Sequence, residues 1–146
     1  MRSLGRLLVT SLLLSCAACT YDAEKQHVRP DGVVDWVSPD GVVSGWAYEG
    51  DYPERSIWVY IYLDAPQGER GATFVDSVMA DQPRPDLNTG MKIPGNHGFS
   101  YKIPKEFRTN QPRKVFASGW DKNEQQYGKL INPKSMLLPL PGPSPK

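Results

Sequence analysis

Two cysteines, Cys16 and Cys19, lie three residues apart near the start of the chain and are its only cysteines. A disulfide between them would close a very short loop, and short loops gain little stability from a cross-link. A metal site would need further thiols or histidines at ligand spacing, and the chain offers only His27 and His97. Neither chemistry therefore fits the pair.

The residues before the two cysteines have the layout of an export signal. A cationic start with Arg2 and Arg6 leads into the apolar run 7–14, and small residues follow. The run is too short to cross a bilayer as a helix, which needs about 20 residues. A buried core helix is the alternative, but the basic start and the small residues at the exit favour export.

This arrangement resembles the lipobox of bacterial lipoproteins. The resemblance implies that the signal is cut immediately before a cysteine, which then carries the acyl chains. "LLSC" would make Cys16 the anchor, and "CAAC" would make Cys19 the anchor. The small residues Ala17 and Ala18 beside the second cut favour Cys19, with Cys16 as the alternative. Several acyl chains are needed for durable anchoring, so the membrane is one predicted partner.

A row of aromatic residues, Trp58, Tyr60 and Tyr62, alternates with apolar ones in the segment "SIWVYIYLD". Residues two apart on a strand share a face and lie about 6.5–7 Å apart, so three rings span about 13 Å. This is the scale of a short sugar chain, and the pattern resembles the aromatic strips of carbohydrate-binding modules. It makes the three rings candidates for a ligand-binding face. The favoured interpretation is that both faces of the strand are buried, the outer one by a loop or the Pro-rich tail.

A polar stretch from "ADQPRPDLN" to "GNHGF" holds the other candidates. Oxygens of Asp81, Asp86 and Asn88 lie at the short spacing that suits calcium, although the repeated Asp/Asn/Gly rhythm of a calcium loop is missing. His97 could titrate near neutrality or bind a metal. The favoured interpretation is structural: Asp86 and Asn88 bond backbone donors, Gly95 permits a positive φ, and the loop is fastened to the domain. We predict no metal or other cofactor.

Catalysis and nucleic-acid binding are not expected. Nucleophilic catalysis needs a base beside a Ser, Thr or Cys, and neither histidine lies in such a motif. No phosphate-cradling glycine loop occurs. Loss of Arg2 and Arg6 with the signal reduces 17 basic residues to 15 against 16 acidic ones, a net charge of about −1. This balance gives no long-range attraction to nucleic acid.

Strands must position these candidates, because apolar residues alternate with period two in nearly every segment after the signal. The predicted strands are "VVDWV", "GVVSGWAYE", "SIWVYIYLD", "TFVDSVMA", "GFSYKIP", "KVFASGWDK" and "KSMLL". Seven short strands between Gly, Pro, Asp and Asn clusters predict a β-sandwich. We expect Trp36, Trp46 and Trp120 in its core, and a single helical turn at 104–107.

Longer segments of the chain resemble a known kind of domain. "SGWAYEGDYPERSIWVYIYLDAP", "ADQPRPDLN", "IPGNHGFSYKIP", "KVFASGWD" and "NPKS" together look like a bacterial extracellular β-sandwich module. Such modules occur singly or repeated in secreted and surface proteins, often beside carbohydrate-active or adhesive domains. The resemblance covers roughly residues 41–135. It implies an immunoglobulin-like fold and an accessory role, and it supplies no catalytic residue.

The predicted organisation has four parts. They are a lipoprotein signal peptide at 1–18, a tether at 19–31, an all-β immunoglobulin-like sandwich at 32–138 and a Pro-rich tail at 139–146. We expect a lipid-anchored module of the cell envelope, at the outer membrane if the host is Gram-negative. A glycan is the expected ligand. The alternative is a protein-interaction subunit of an envelope or secretion assembly.

Overall fold

A computed structural model describes residues 28–121, 126–130 and 137–138. The predicted signal peptide with Cys16 and Cys19, the tether up to residue 27 and the Pro-rich tail lie outside the described residues. The strands of the described part have these bounds: β1 Asp31–Val37, β2 Val42–Tyr48, β3 Trp58–Leu63, β4 Thr73–Met79, β5 Gly98–Lys102, β6 Arg113–Asp121, β7 Gln126–Lys129 and β8 Leu137–Leu138.

The strands form two antiparallel sheets that pack together. Their orders are β1-β2-β5 and β4-β3-β6-β7, and β8 pairs with the start of β6. In β3, Val59, Ile61 and Leu63 have no exposed surface, as the alternation predicts. Both sheets contribute to one core, whose buried members are Val34, Val37, Val43, Ala47, Ile57, Val59, Ile61, Leu63, Ala80, Phe99, Ile103, Val115, Ala117, Leu130 and Leu138. The prediction of an all-β sandwich is confirmed; an immunoglobulin-like topology stays a prediction.

A β-bulge in β1 places Trp36 outside the core. Val34 pairs with Gly45 and Trp36 pairs with the next residue, Ser44, so Asp35 is an extra residue in β1. An extra residue reverses the alternation of faces. Val34 is therefore buried, whereas Trp36 is 54% exposed. The expectation that Trp36 belongs to the core is wrong for this reason.

A second bulge lies in β4. Ile61 pairs with Asp76 and Tyr62 pairs with Phe74, which leaves Val75 as the extra residue. Val75 packs against the core. Phe74 stands on the outer face beside Tyr62 and is 50% exposed.

The strand β7 was not predicted, because "QYGK" shows no apolar alternation. It pairs with the end of β6, placing Gly128 opposite Gly119. Pro30 is buried against both glycines: a Cβ on Gly119 would lie 2.9 Å from the Pro30 Cβ, and a Cβ on Gly128 would lie 2.6 Å from the Pro30 carbonyl oxygen. Pro30 therefore packs on the sandwich, although it lies within the segment predicted as tether.

Two short helical turns accompany the strands. The turn Lys105–Phe107 agrees with the turn expected at 104–107, whereas the π-helical turn Leu87–Met91 was not foreseen. Leu87 and Ile93 are the buried apolar residues that hold this second segment to the domain. No helix in the part of the chain that the structure describes is long and apolar enough to cross a membrane.

Candidate functional site

The outer face of the five-stranded sheet carries a group of aromatic rings. Alternation along β3 turns Trp58, Tyr60 and Tyr62 away from the core, and the β4 bulge adds Phe74. Centroid distances are 6.4 Å from Trp120 to Tyr60, 6.2 Å from Tyr60 to Phe74 and 5.4 Å from Phe74 to Tyr62. Of the predicted ligand-binding row, Trp58 is 44% exposed, while Tyr60 and Tyr62 are half-buried.

These rings do not form a flat strip. The interplanar angles are 56° between Tyr60 and Trp120, 37° between Tyr60 and Phe74, and 55° between Tyr62 and Phe74. A planar surface would need nearly parallel rings. The arrangement therefore suits packing of the rings on one another, whereas Trp58 takes part in none of these ring pairs and is 44% exposed.

A cleft of about 370 Å³ lies beside Trp58. Its lining combines three rings with a carboxyl group, a guanidinium group and a hydroxyl group; the residues are Glu49, Tyr52, Arg55, Ser56, Ile57, Trp58, Met79 and Trp120. Glu49 is only 3% exposed. The cleft thus joins apolar surface to a few polar groups, which is the usual composition of a small-molecule site.

Trp120 belongs to this cleft, which corrects the expectation of a core position. Its strand turns Val115, Ala117 and Gly119 towards the core, so Trp120 faces outwards and is half-buried. Trp46, by contrast, is buried at 8% exposure. It shares the outward register of Ser44 in β2 and stacks on Tyr48 at a centroid distance of 6.0 Å.

The turn between β2 and β3 brings Tyr52 and Arg55 together. The Tyr52 amide donates to the Glu49 carbonyl at 3.2 Å, and the Arg55 amide donates to the Tyr52 carbonyl at 2.9 Å. These successive turns place residues three apart on the same side. The Arg55 guanidinium carbon consequently lies 4.7 Å from the centroid of the Tyr52 ring.

The loop between β4 and β5 supports this turn from behind. The Ser56 hydroxyl donates to the Asn96 carbonyl at 2.9 Å. Gly95 has a φ of +92°, and a Cβ built on it would lie 2.7 Å from the Glu54 carbonyl oxygen. Close approach of the two backbones therefore requires glycine at position 95, and the loop fixes the position of the turn that carries Arg55.

Two of the three residues considered for calcium, Asp86 and Asn88, have other contacts. Arg84 donates to both carboxylate oxygens of Asp86, at 2.8 and 2.7 Å, and these bonds lower the pKa of Asp86 to about 2. Asn88 donates its amide hydrogens to the carbonyls of Ile93 and Gly95, instead of accepting from backbone donors as expected. Asp81 is exposed, and no three acidic, His or Cys side chains within the described ranges are grouped to hold a metal. These contacts support the loop-fastening interpretation.

His97 lies fully buried at the end of the same loop. Its Nε2 donates to the Pro94 carbonyl at 2.6 Å, since a carbonyl oxygen only accepts. The Tyr48 ring meets its imidazole edge-on at 6.0 Å. Nδ1 has no hydrogen-bond partner among the residues that the structure places. These contacts give His97 a packing role beneath Tyr48.

Sequence reasoning missed most of the cleft. Glu49, Tyr52 and Arg55 come from a connection between strands, where periodicity carries no information. The available signal was the run "DYPERS", in which an aromatic ring and a guanidinium lie three residues apart in a turn. Phe74 was missed because a bulge turns it outwards.

Comparison of the chain with protein-family models, with curated proteins and with solved structures finds no match in any of the three. Fold and cleft together define a β-sandwich with an aromatic, partly charged recess on one outer face. The functional argument therefore rests on the chemistry of that recess.

Proposed function

We propose that the chain is a non-catalytic, lipid-anchored module of the bacterial cell envelope, and that it binds a glycan in the cleft beside Trp58. The observation that carries the proposal is the exposed Trp58 ring at the edge of a recess that also holds Glu49, Arg55 and Ser56. Aromatic rings accept the apolar faces of sugars, and carboxyl and guanidinium groups bond sugar hydroxyls.

The size of the recess supports a short ligand segment. About 370 Å³ lies at the lower end of the range for small-molecule sites. In this proposal Trp58 makes the main ring contact, while Tyr60 and Tyr62 are half-buried and pack against Phe74. The binding mode is therefore a recess that takes part of a chain, and it differs from the flat strip that the sequence suggested.

The anchor is a separate part of the proposal and rests on the lipobox-like sequence. Acylation at Cys19, or at Cys16 in the alternative register, attaches the module to a membrane. The residue after either cysteine is not the Asp that favours inner-membrane retention in similar lipoproteins. The proposed location is consequently the outer membrane if the host is Gram-negative.

The test is retention of the full chain, in detergent, on insoluble peptidoglycan, chitin and cellulose. We expect Trp58→Ala to weaken retention on the bound glycan at least about tenfold, because a buried aromatic contact is worth a few kcal/mol. Trp36→Ala is the matched control, since Trp36 is also exposed, at 54% against 44% for Trp58, but lies on the other sheet. If Trp58→Ala and Trp36→Ala were retained equally, the proposal of glycan binding would be wrong.

A protein-interaction subunit is the second candidate, and Phe74 is the observation that favours it. This ring is half exposed, has no polar atom and adjoins Tyr62. Contiguous exposed apolar surface commonly marks a protein contact. Crosslinking in intact cells distinguishes the candidates: a single stoichiometric partner that is lost with Phe74→Ala but kept with Trp58→Ala supports a protein partner.

A further inference from the structure

We infer that the glycan is acidic: a sugar ring packs on Trp58 while a carboxylate on that sugar, or on its neighbour in the chain, binds Arg55. This inference rests on the proposed glycan-binding function and adds the ligand class to it. Its basis is the juxtaposition in one recess of an exposed ring and a stacked guanidinium with hydrogen-bond donors to spare.

Arg55 is preorganised to bind an anion. Its guanidinium carbon lies 4.7 Å from the centroid of the Tyr52 ring, and stacking on an aromatic face fixes the plane of the group. The nearest carboxylate, on Glu54, is 3.5 Å from Nε, a contact between two exposed side chains that contributes little. The two terminal nitrogens of Arg55 donate no hydrogen bond to any residue in the described ranges. A planar guanidinium with free N–H donors can bind both oxygens of a carboxylate at once.

The carboxyl group of Glu49 in the lining of the recess gives the ligand an orientation. Glu49 is buried in the lining, whereas Arg55 is exposed at the rim. Two carboxylates placed side by side disfavour ionisation of both, so the acid group of the ligand belongs at Arg55.

The test compares each acidic sugar with its neutral counterpart. Trigalacturonate and trimannuronate are titrated against the full chain in detergent, alongside their methyl esters, and tryptophan fluorescence or calorimetry reports the dissociation constant. We expect at least one acid to bind about tenfold more tightly than its ester at low ionic strength. The difference should shrink with added salt, because Arg55 is exposed.

Two variants assign the preference to a residue. Arg55→Gln should bind acid and ester alike, with an affinity close to that of the wild-type protein for the ester. Arg70→Gln, at an exposed arginine in the connection after β3, should keep the full preference for the acid. Trp58→Ala should weaken binding of acid and ester together, because the ring contact is common to both.

Several outcomes would overturn the inference. If the wild-type protein binds acid and ester equally and Trp58→Ala binds neither, the inference of an acidic ligand is wrong. The proposal of glycan binding then still stands. If Arg55→Gln still prefers the acid, Arg55 is not the residue that binds the carboxylate. Failure of every soluble sugar to bind removes the inference, and the insoluble panel with Trp58→Ala and Trp36→Ala then decides the proposed function separately. Tighter binding of a peptide with a free C-terminus, lost on amidation, would identify a peptide carboxylate instead.

Discussion

Arg84 organises the loop between β4 and β5 through one side chain. Its Nη1 donates to Asp35 in β1 at 2.8 Å, while Nε and Nη2 donate to Asp86 in the loop. Its Cγ passes close to Gly98 in β5, within 3.0 Å of where a Cβ would stand. Because β2 lies between β5 and β1, the side chain crosses the outer face of β2. Trp46, which pairs with Gly98 on this face, is buried although the alternation turns it outwards.

The ion pair of Arg84 and Asp86 predicts a loss of stability in acid. The hydrogen bonds from Arg84 lower the pKa of Asp86 to about 2, against about 3.9 in an unfolded chain. A lowered pKa in the folded state stabilises the protein above about pH 4, and the stabilisation is lost as the pH falls towards 2. Thermal unfolding measured from pH 7 to pH 2 should therefore show a steeper fall below pH 4 for the wild type than for Asp86→Asn.

Asp81→Asn is the control for this prediction, since Asp81 is an exposed carboxylate of the same loop. It should follow the wild-type curve. If Asp86→Asn ran parallel to the wild type through the whole range, the bond to Arg84 would not stabilise the loop.

At the scale of elements, the two bulges explain the outward positions of Trp36 and Phe74. Alternation predicted the inward positions of β3 correctly, because its residues follow period two without interruption. In β1 and β4 one extra residue, Asp35 or Val75, reverses the faces, so Trp36 and Phe74 point outwards. Such insertions are set by pairing with the neighbouring strand, and a single strand read alone does not reveal them.

The candidate site likewise contains residues that alternation predicts and residues that it does not. Trp58 could be predicted from alternation, because it belongs to a regular strand. The contributions of Glu49 and Arg55 depend on the fold of a turn and on the loop that packs behind it, and both depend on contacts between distant parts of the chain. The strand β7 was missed because its pairing with β6, and not its own apolar pattern, defines it.

Gly95 offers a test of the link between the loop and the turn. Gly95→Ala should lower the free energy of unfolding by about 1–3 kcal/mol, because its φ of +92° strains any other residue and the new Cβ would meet the Glu54 carbonyl oxygen at 2.7 Å. Since Glu54 precedes Arg55, ligand affinity should fall as well. Urea unfolding and ligand titration measure the two effects.

Gly90→Ala provides the matched control in the same loop. A Cβ at position 90 would meet no atom within 4 Å. The substitution should change stability by less than about 0.5 kcal/mol, as is usual at open surface positions. Equal stability of Gly95→Ala and Gly90→Ala would show that the loop yields easily and does not hold the turn.

Across the whole molecule the two outer faces differ. The three-stranded sheet is crossed by Arg84 and exposes Trp36, whereas the five-stranded sheet exposes Trp58 and Phe74 and carries the cleft beside Trp58. Ligand contacts are accordingly expected at the cleft on the five-stranded sheet.

The proposed membrane attachment concerns the whole chain and is tested by labelling. Cys19→Ala should abolish incorporation of labelled palmitate and move the protein to the soluble fraction, because the anchor is then absent. Cys16→Ala should remain labelled and membrane-bound. The reverse pattern would assign the anchor to Cys16, and continued labelling after both changes would contradict acylation at either cysteine.

The packing of Val28 and Pro30 limits how far the domain can lie from its proposed membrane anchor. The Val28 amide bonds Asp51, and Pro30 packs on Gly119, so the incoming chain meets the sandwich beside Tyr52 and Trp120 of the cleft. The nine residues from 19 to 27 would span at most about 30 Å when fully extended. If the chain is anchored at Cys19 and binds a glycan as proposed, a tether of this length would limit the accessible sugars to those close to the lipid headgroups, and tension on the anchor would reach the side of the domain that carries the cleft first.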